Sequence, residues 1–146
     1  MLRTILVAVD SSPQHTAILD QVAELAIASG AKVHVVSVAD FSGTGSGLEQ
    51  SCAGMVSFLV EEVDEILHSA CKRLSDQGVP CRTHALNGIV SEQIITLANE
   101  VHANMIVVGH RHLNWMQRIF ENSVGRDLLE YAPCNILVVR DNADAV

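Results

Sequence analysis

The sequence predicts an α/β fold: a single open five-stranded parallel sheet in the order 3-2-1-4-5, with helices on both faces in a Rossmann-like arrangement, over one domain spanning 1–146. Three observations carry that prediction. Short apolar runs alternate with longer stretches of 3.6-residue periodicity, the pattern of successive β-α units joined by right-handed crossovers. Residues 5–9 (ILVAV) and 105–108 (MIVV) are continuously apolar, as strands covered on both faces are. A chain of 146 residues, 49% hydrophobic, can bury a sizeable core, and with three Phe, one Tyr and one Trp that core must be aliphatic.

Residues 5–9 form the first strand, which Asp10, Ser11, Ser12 and Pro13 stop while offering a cap and a first-turn proline for a helix. Ile18, Leu19, Val22, Leu25 and Ala26 then recur at helical spacing up to Ser29 and Gly30. Residues 33–38 are the second strand. The Gly/Ser-rich stretch 42–47 after it carries too little apolar surface to pack and reads as a mobile loop. Between residues 55 and 77, Val56, Leu59, Val63, Leu67, Ala70 and Leu74 keep the helical period until Gly78, Val79 and Pro80 end the longest helix.

Residues 81–86 read as a weak edge strand with one wet face, because Cys81, Thr83 and Ala85 alternate with Arg82 and His84. Ser91 is placed as the cap of a helix carrying Ile94, Ile95, Leu97 and Ala98. The central strand 105–108 ends at Gly109. A last helix opens at Ser123, with Val124, Leu128 and Leu129 on its apolar face, before Ala132 and Pro133 lead into the final strand, 135–140. In this order the winding reverses between the first and fourth strands, so their carboxyl ends, at Asp10 and Gly109, open the ligand crevice.

Composition removes several classes of function. A net charge of −8 argues against nucleic acid as a partner, since backbone phosphates are held by clustered Lys and Arg. No segment approaches the roughly 20 apolar residues of a membrane span, and the N-terminus lacks a signal-peptide pattern, so a soluble cytoplasmic protein without a membrane partner is expected. Cys52, Cys71, Cys81 and Cys134 show no C-x-x-C spacing and read as buried free thiols. There is no G-x-x-x-x-G-K-[ST], no G-x-G-x-x-G after the first strand and no G-x-S-x-G, and no catalytic residue is nominated. His110 and His112 supply half of a metal site with no further ligand at a suitable spacing, and no metal is expected.

What remains resembles the universal stress protein family. The carriers are residues 5–12 (ILVAVDSS), 105–109 (MIVVG) and, most specifically, 123–140 (SVGRDLLEYAPCNILVVR), so the likeness extends over the whole chain. It implies an adenine nucleotide alpha hydrolase-like fold. In ATP-binding members it further implies a G-x-x-G-x9-G-[ST] loop after the fourth strand, whose glycines let the backbone wrap the phosphates. Here those positions are Gly109, His112, Asn122 and Ser123, so two of the three glycines are replaced. Asn tolerates left-handed geometry, whereas the His112 ring occupies space a phosphate oxygen would need. Gly109 followed by His110, with Trp115 nearby, is similar to the universal stress protein A subfamily, regarded as lacking ATP binding.

Against this stand Arg111, Arg118 and Arg126, offset only by Glu121, in an otherwise acidic chain; they either welcome an anion near Ser123 or pair with surface carboxylates. The resemblance also implies that Asp10 meets the base and ribose side of a nucleotide and that the Val38 backbone meets adenine. Helix capping by Asp10 and a plain core role for Val38 stay open, and Trp115 reads as pinning its loop rather than stacking on a base.

The resemblance implies a homodimer formed through the last strand, where Ile136 and Val138 point one way and Leu137 and Val139 the other, leaving both faces of an edge apolar. The expectation is a non-catalytic stress-response or regulatory protein with a degenerate pocket and weak or no ATP binding. The alternative is an ATP- or AMP-binding sensor using Asp10, Val38, Gly109, Asn122, Ser123 and Val124, in which the basic loop offsets the missing glycines.

Overall fold

The computed structural model describes residues 1–11, 15–40, 52–109 and 124–140, with side chains from residue 57 in the third stretch and from residue 128 in the fourth. Along the chain run β1 (Thr4–Ala8), α1 (His15–Ser29), β2 (Lys32–Ala39), α2 (Cys52–Asp76), β3 (Cys81–Asn87), α3 (Val90–Glu100), β4 (Met105–Gly109), α4 (Val124–Tyr131) and β5 (Asn135–Val139). The strands form one sheet in the order β3-β2-β1-β4-β5, every pair parallel, as the sequence predicts. β1 is central, pairing Ile5 with Val33 on one side and with Met105 on the other.

Strand alternation sends side chains into two cores. Ile5, Val7, Val33, Val35 and Val107 meet Ile18, Leu19 and Val22 of α1 and Leu67 and Leu74 of α2. On the other face Leu6, Ala8, Val36, Ile106 and Val108 meet Ile94, Leu97 and Ala98 of α3 and Leu128 of α4. Each fully buried aliphatic side chain contributes about 1.5–3 kcal/mol. No helix among the described residues is long and apolar enough to cross a membrane.

The ends of the helices follow backbone chemistry. α2 stops in a Schellman turn: the Val79 N–H donates to the Leu74 carbonyl at 2.9 Å and the Gly78 N–H to that of Ser75 at 2.9 Å, with Gly78 at φ +78°. α3 closes with the same two bonds, Ala103 to Ala98 at 2.9 Å and His102 to Asn99 at 3.3 Å, but the left-handed position, φ +54°, holds His102. Beyond it, the Asn104 side-chain Oδ1 accepts from the N–H groups of Arg3 and Thr4, both at 2.9 Å, and the Asn104 N–H donates to the Thr4 carbonyl at 2.9 Å. One side chain thus pins the start of β1 beside the start of β4. On the opposite layer, Arg73 of α2 forks onto both carboxylate oxygens of Asp20 in α1, at 2.8 and 2.9 Å, and Gln77 adds a third bond at 3.0 Å.

Several expectations are corrected. Ser91 does not cap α3: the cap position is Ile89, without a side-chain hydrogen bond, and Ser91 is buried inside the first turn. Gly88, at φ +128°, turns the chain early enough for the helix to start at Val90. On β3 the wet and dry sides are exchanged beyond Cys81. Thr83 and Ala85 are exposed, whereas His84 and Leu86 are half-buried, because His84 stacks on His34 and Leu86 joins the α3-side core.

The thiols of Cys71, Cys81 and Cys134 are free but half-buried rather than fully buried, the last two lying on and beside edge strands. Burial, together with a hydrogen bond to the Cys71 thiol, pushes the Cys81 thiol up to about 12, far from the low values of reactive cysteines. The expected loop at 42–47, the cap and proline at Ser12 and Pro13, and Cys52 as a buried thiol lie outside the described residues or side chains.

Candidate functional site

Two of the sequence-predicted residues come together at the carboxyl ends of β1 and β2. Asp10 follows β1 and Val38 lies near the end of β2; with Asp40, Val36, Val90 and Ile94 they line a cavity of about 180 Å3. The Val9 N–H donates to the Val36 carbonyl at 3.0 Å, continuing the ladder past β1, and the Gly88 N–H donates to the Ala39 carbonyl at 3.1 Å, closing the end of β2 against the turn into α3. The floor is apolar. Val36 is buried, Val38 is half-buried against the α3-side core, and Ile94 comes from the first turns of α3.

The rim is acidic. Asp10 is half-buried, Asp40 is exposed, and each engages in interactions of its own. Two carboxylates around an apolar slot suit a group that offers hydroxyl or amine donors, as a ribose does, and repel phosphate. Gly109, buried, ends β4 next to β1 and pairs in register with Val139. Val124 opens α4, its side chain among those not described. His112, Asn122 and Ser123, with Trp115, His110, Arg111 and Arg118, lie outside the described residues, and the side chain of Arg126 outside those described.

Asp40, Val90 and Ile94 were not singled out in the sequence. Asp40 carried a usable signal: like Asp10, it follows a buried strand at its carboxyl end. Val90 and Ile94 carried none beyond helical periodicity, since they reach the site only once α3 lies over the sheet. Among the described residues no group of three His, Cys, Asp or Glu converges to hold a metal ion.

The last strand lies at the sheet edge as expected. Leu137 and Val139 pack against the α1-side core and Ile136 and Val138 against the α3-side core, all four half-buried. Packing within the chain thus accounts for part of the apolarity of both faces.

With this geometry in place, the comparisons are decisive about kinship. The model of the universal stress protein family matches residues 1–140. The chain belongs to that family. It is similar to universal stress protein A homolog 1 of Coxiella burnetii, 30% identical over 139 residues, covering 92% of this chain and 94% of that one. A crystal structure of a universal stress protein family member from Burkholderia pseudomallei superposes with a TM-score of 0.72 at 29% identity, covering 94% of this chain and 96% of the other. The Archaeoglobus fulgidus universal stress protein in complex with dAMP superposes at 0.68 with 25% identity, covering 94% and 98%. Sheet order and parallel pairing agree with the universal stress protein fold.

Proposed function

We propose that this universal stress protein is a non-catalytic, cytoplasmic stress-response or regulatory protein with a degenerate nucleotide pocket, binding ATP weakly or not at all, and that it works as a homodimer joined along β5. The observation that carries this reading is the crevice of about 180 Å3. Its carboxylate rim favours ribose hydroxyls and disfavours phosphates, which leaves triphosphate affinity to the segment between Gly109 and Ser123. There His112 and Asn122 take two positions at which the family resemblance implies glycines, and a histidine in place of a glycine adds a ring where close approach of backbone to phosphate calls for none.

Calorimetric titration with ATP, with and without magnesium, tests the reading. No complex tighter than about 100 μM is expected, an affinity of roughly −5.5 kcal/mol. The double variant His112→Gly, Asn122→Gly should gain at least about tenfold; a micromolar ATP complex in the unaltered protein, or an unchanged titration in the double variant, refutes the reading. Phosphate release above the protein-free rate would refute the non-catalytic part.

A second reading has a specific observation in its favour: the A. fulgidus relative is in complex with dAMP. On that reading the chain is an AMP- or ATP-binding sensor in which Asp10, Val38, Gly109, Asn122, Ser123 and Val124 hold the nucleotide and Arg111, Arg118 and Arg126 compensate for the missing glycines. AMP binding with micromolar affinity, lost in Asp10→Ala, would favour it.

A further inference from the structure

The opposite end of the sheet holds a larger groove, of about 740 Å3, bordered by the Gly30 and Gly78 turns and lined by Lys32, His34, Cys81 and Arg82. Its charged wall follows from register. Val33 and Val35 of β2 enter the α1-side core, so Lys32 and His34, alternating with them, face the α3 side. β3 pairs His34 with Arg82 and Val36 with His84, which sets Arg82 one strand spacing, about 4.8 Å, from His34 on the same face. Lys32 and Arg82 are exposed, and no carboxylate forms an ion pair with either among the described residues. In a chain with 17 acidic against 9 basic residues, these two cations beside one groove give it a local charge opposite in sign to that of the whole molecule.

The histidines make that field adjustable. His34 Nδ1 and His84 Nε2 stand 2.9 Å apart in a hydrogen bond between stacked rings, with centroids separated by 5.1 Å. One nitrogen carries the proton and the other accepts, so the pair can take one further proton and keep its bond. Burial holds His34 below the usual imidazole range, and His84, Arg82 and Lys32 add to that by repulsion. Burial likewise lowers His84, with Glu100 of α3 pulling the other way and Arg82 reinforcing the drop. A negative ligand among these groups would reverse the repulsion.

We propose that this groove is an anion-binding site separate from the carboxyl-end crevice, taking a small organic phosphate, with Lys32 and Arg82 as charged contacts and the His34–His84 pair gaining a proton as the site fills. The Arg82 guanidinium offers a planar fork for two oxygens and Lys32 a point charge. The groove has room for the organic part that a free inorganic ion would leave empty.

The test is NMR of the histidine rings in the full chain at constant ionic strength. Sulfate is the first probe, because it stays a dianion while the imidazoles titrate. At about pH 5.5 and about pH 8, on either side of the usual imidazole value, saturable shifts of the His34 and His84 rings are expected, with about tenfold tighter binding at the lower pH. Glucose 6-phosphate should bind more tightly than sulfate at the lower pH. R82Q and K32Q, both at exposed positions, should each weaken binding about tenfold. Shifts that grow linearly without saturating, equal affinity at both pH values, an undiminished response in both variants, or sulfate matching glucose 6-phosphate would each overturn the proposal.

Discussion

Replacing Asn104 by Ala removes the oxygen that accepts two backbone hydrogen bonds, from Arg3 and Thr4, each 2.9 Å long. The bond from the Asn104 N–H to the Thr4 carbonyl belongs to the backbone and persists. Each lost bond contributes about 0.5–1.5 kcal/mol net, and because the site is exposed the two released N–H groups regain water rather than suffering a burial penalty. The expected loss is therefore about 1–3 kcal/mol, equivalent to a fall in Tm of about 3–10 °C for a chain of this length. Urea unfolding followed by circular dichroism should show a lower midpoint at an unchanged m-value. Asn104→Asp keeps an acceptor oxygen and should stay within about 0.5 kcal/mol of the unaltered protein. Equal losses in the two variants would show that the oxygen is not what matters, and a loss below about 0.3 kcal/mol for Asn104→Ala would dismiss the clamp altogether.

The two Schellman turns share a bonding pattern but hold Gly78 in one and His102 in the other at the left-handed position, so His102→Gly should raise stability by about 0.5–1 kcal/mol and Gly78→Ala should lower it by about 1–2 kcal/mol; changes of the same sign in chemical denaturation would contradict this. The histidine pair makes the fold sensitive to acid. Both pKa values are lowered in the folded state, first by burial, so their contribution to stability is fully present above about 6.5 and is lost as pH falls through the lower folded values. His84→Gln should flatten the decline in unfolding free energy below pH ~6.5, and parallel declines in variant and parent would refute the linkage. For the dimer, light scattering on Leu137→Asp should report a monomer; because Leu137 also packs in its own chain, Leu137→Ala serves as the control that loses packing but keeps the edge. An oligomer that survives Leu137→Asp rules out pairing along β5.

Strand order and helix placement were legible because β1 and β4 are buried on both faces and leave unbroken apolar runs, and because Leu67, Ala70 and Leu74 keep a helical period that only a packed face requires. Details set by distant contacts were not. Ser91 looks like a cap in isolation, yet the turn at Gly88 carries it into the helix. Thr83 and Ala85 look inward-facing until the His34–His84 contact and Leu86 decide which side of β3 is covered. The Asn104 clamp joins residues about 100 apart and resembles any turn asparagine in the sequence. Beside the crevice, Asp10 was placed by the end of the first strand and Val38 only by the family resemblance, whereas Val90 and Ile94 arrive only through the packing of α3.

The central place of β1 has a consequence for how the molecule is made. Ile5 finds its β2 partner at Val33 but its β4 partner only at Met105, 100 residues later. At ribosomal speeds of about 5–20 residues per second, roughly 5–20 s separate the emergence of the apolar run of β1 from that of its second neighbour. Throughout that interval the nascent chain carries an open, greasy edge able to capture another chain in the same condition. Synthesis, rather than the finished fold, is where this protein is most exposed to aggregation, and the pairing of β4 with β1 is what ends the exposure.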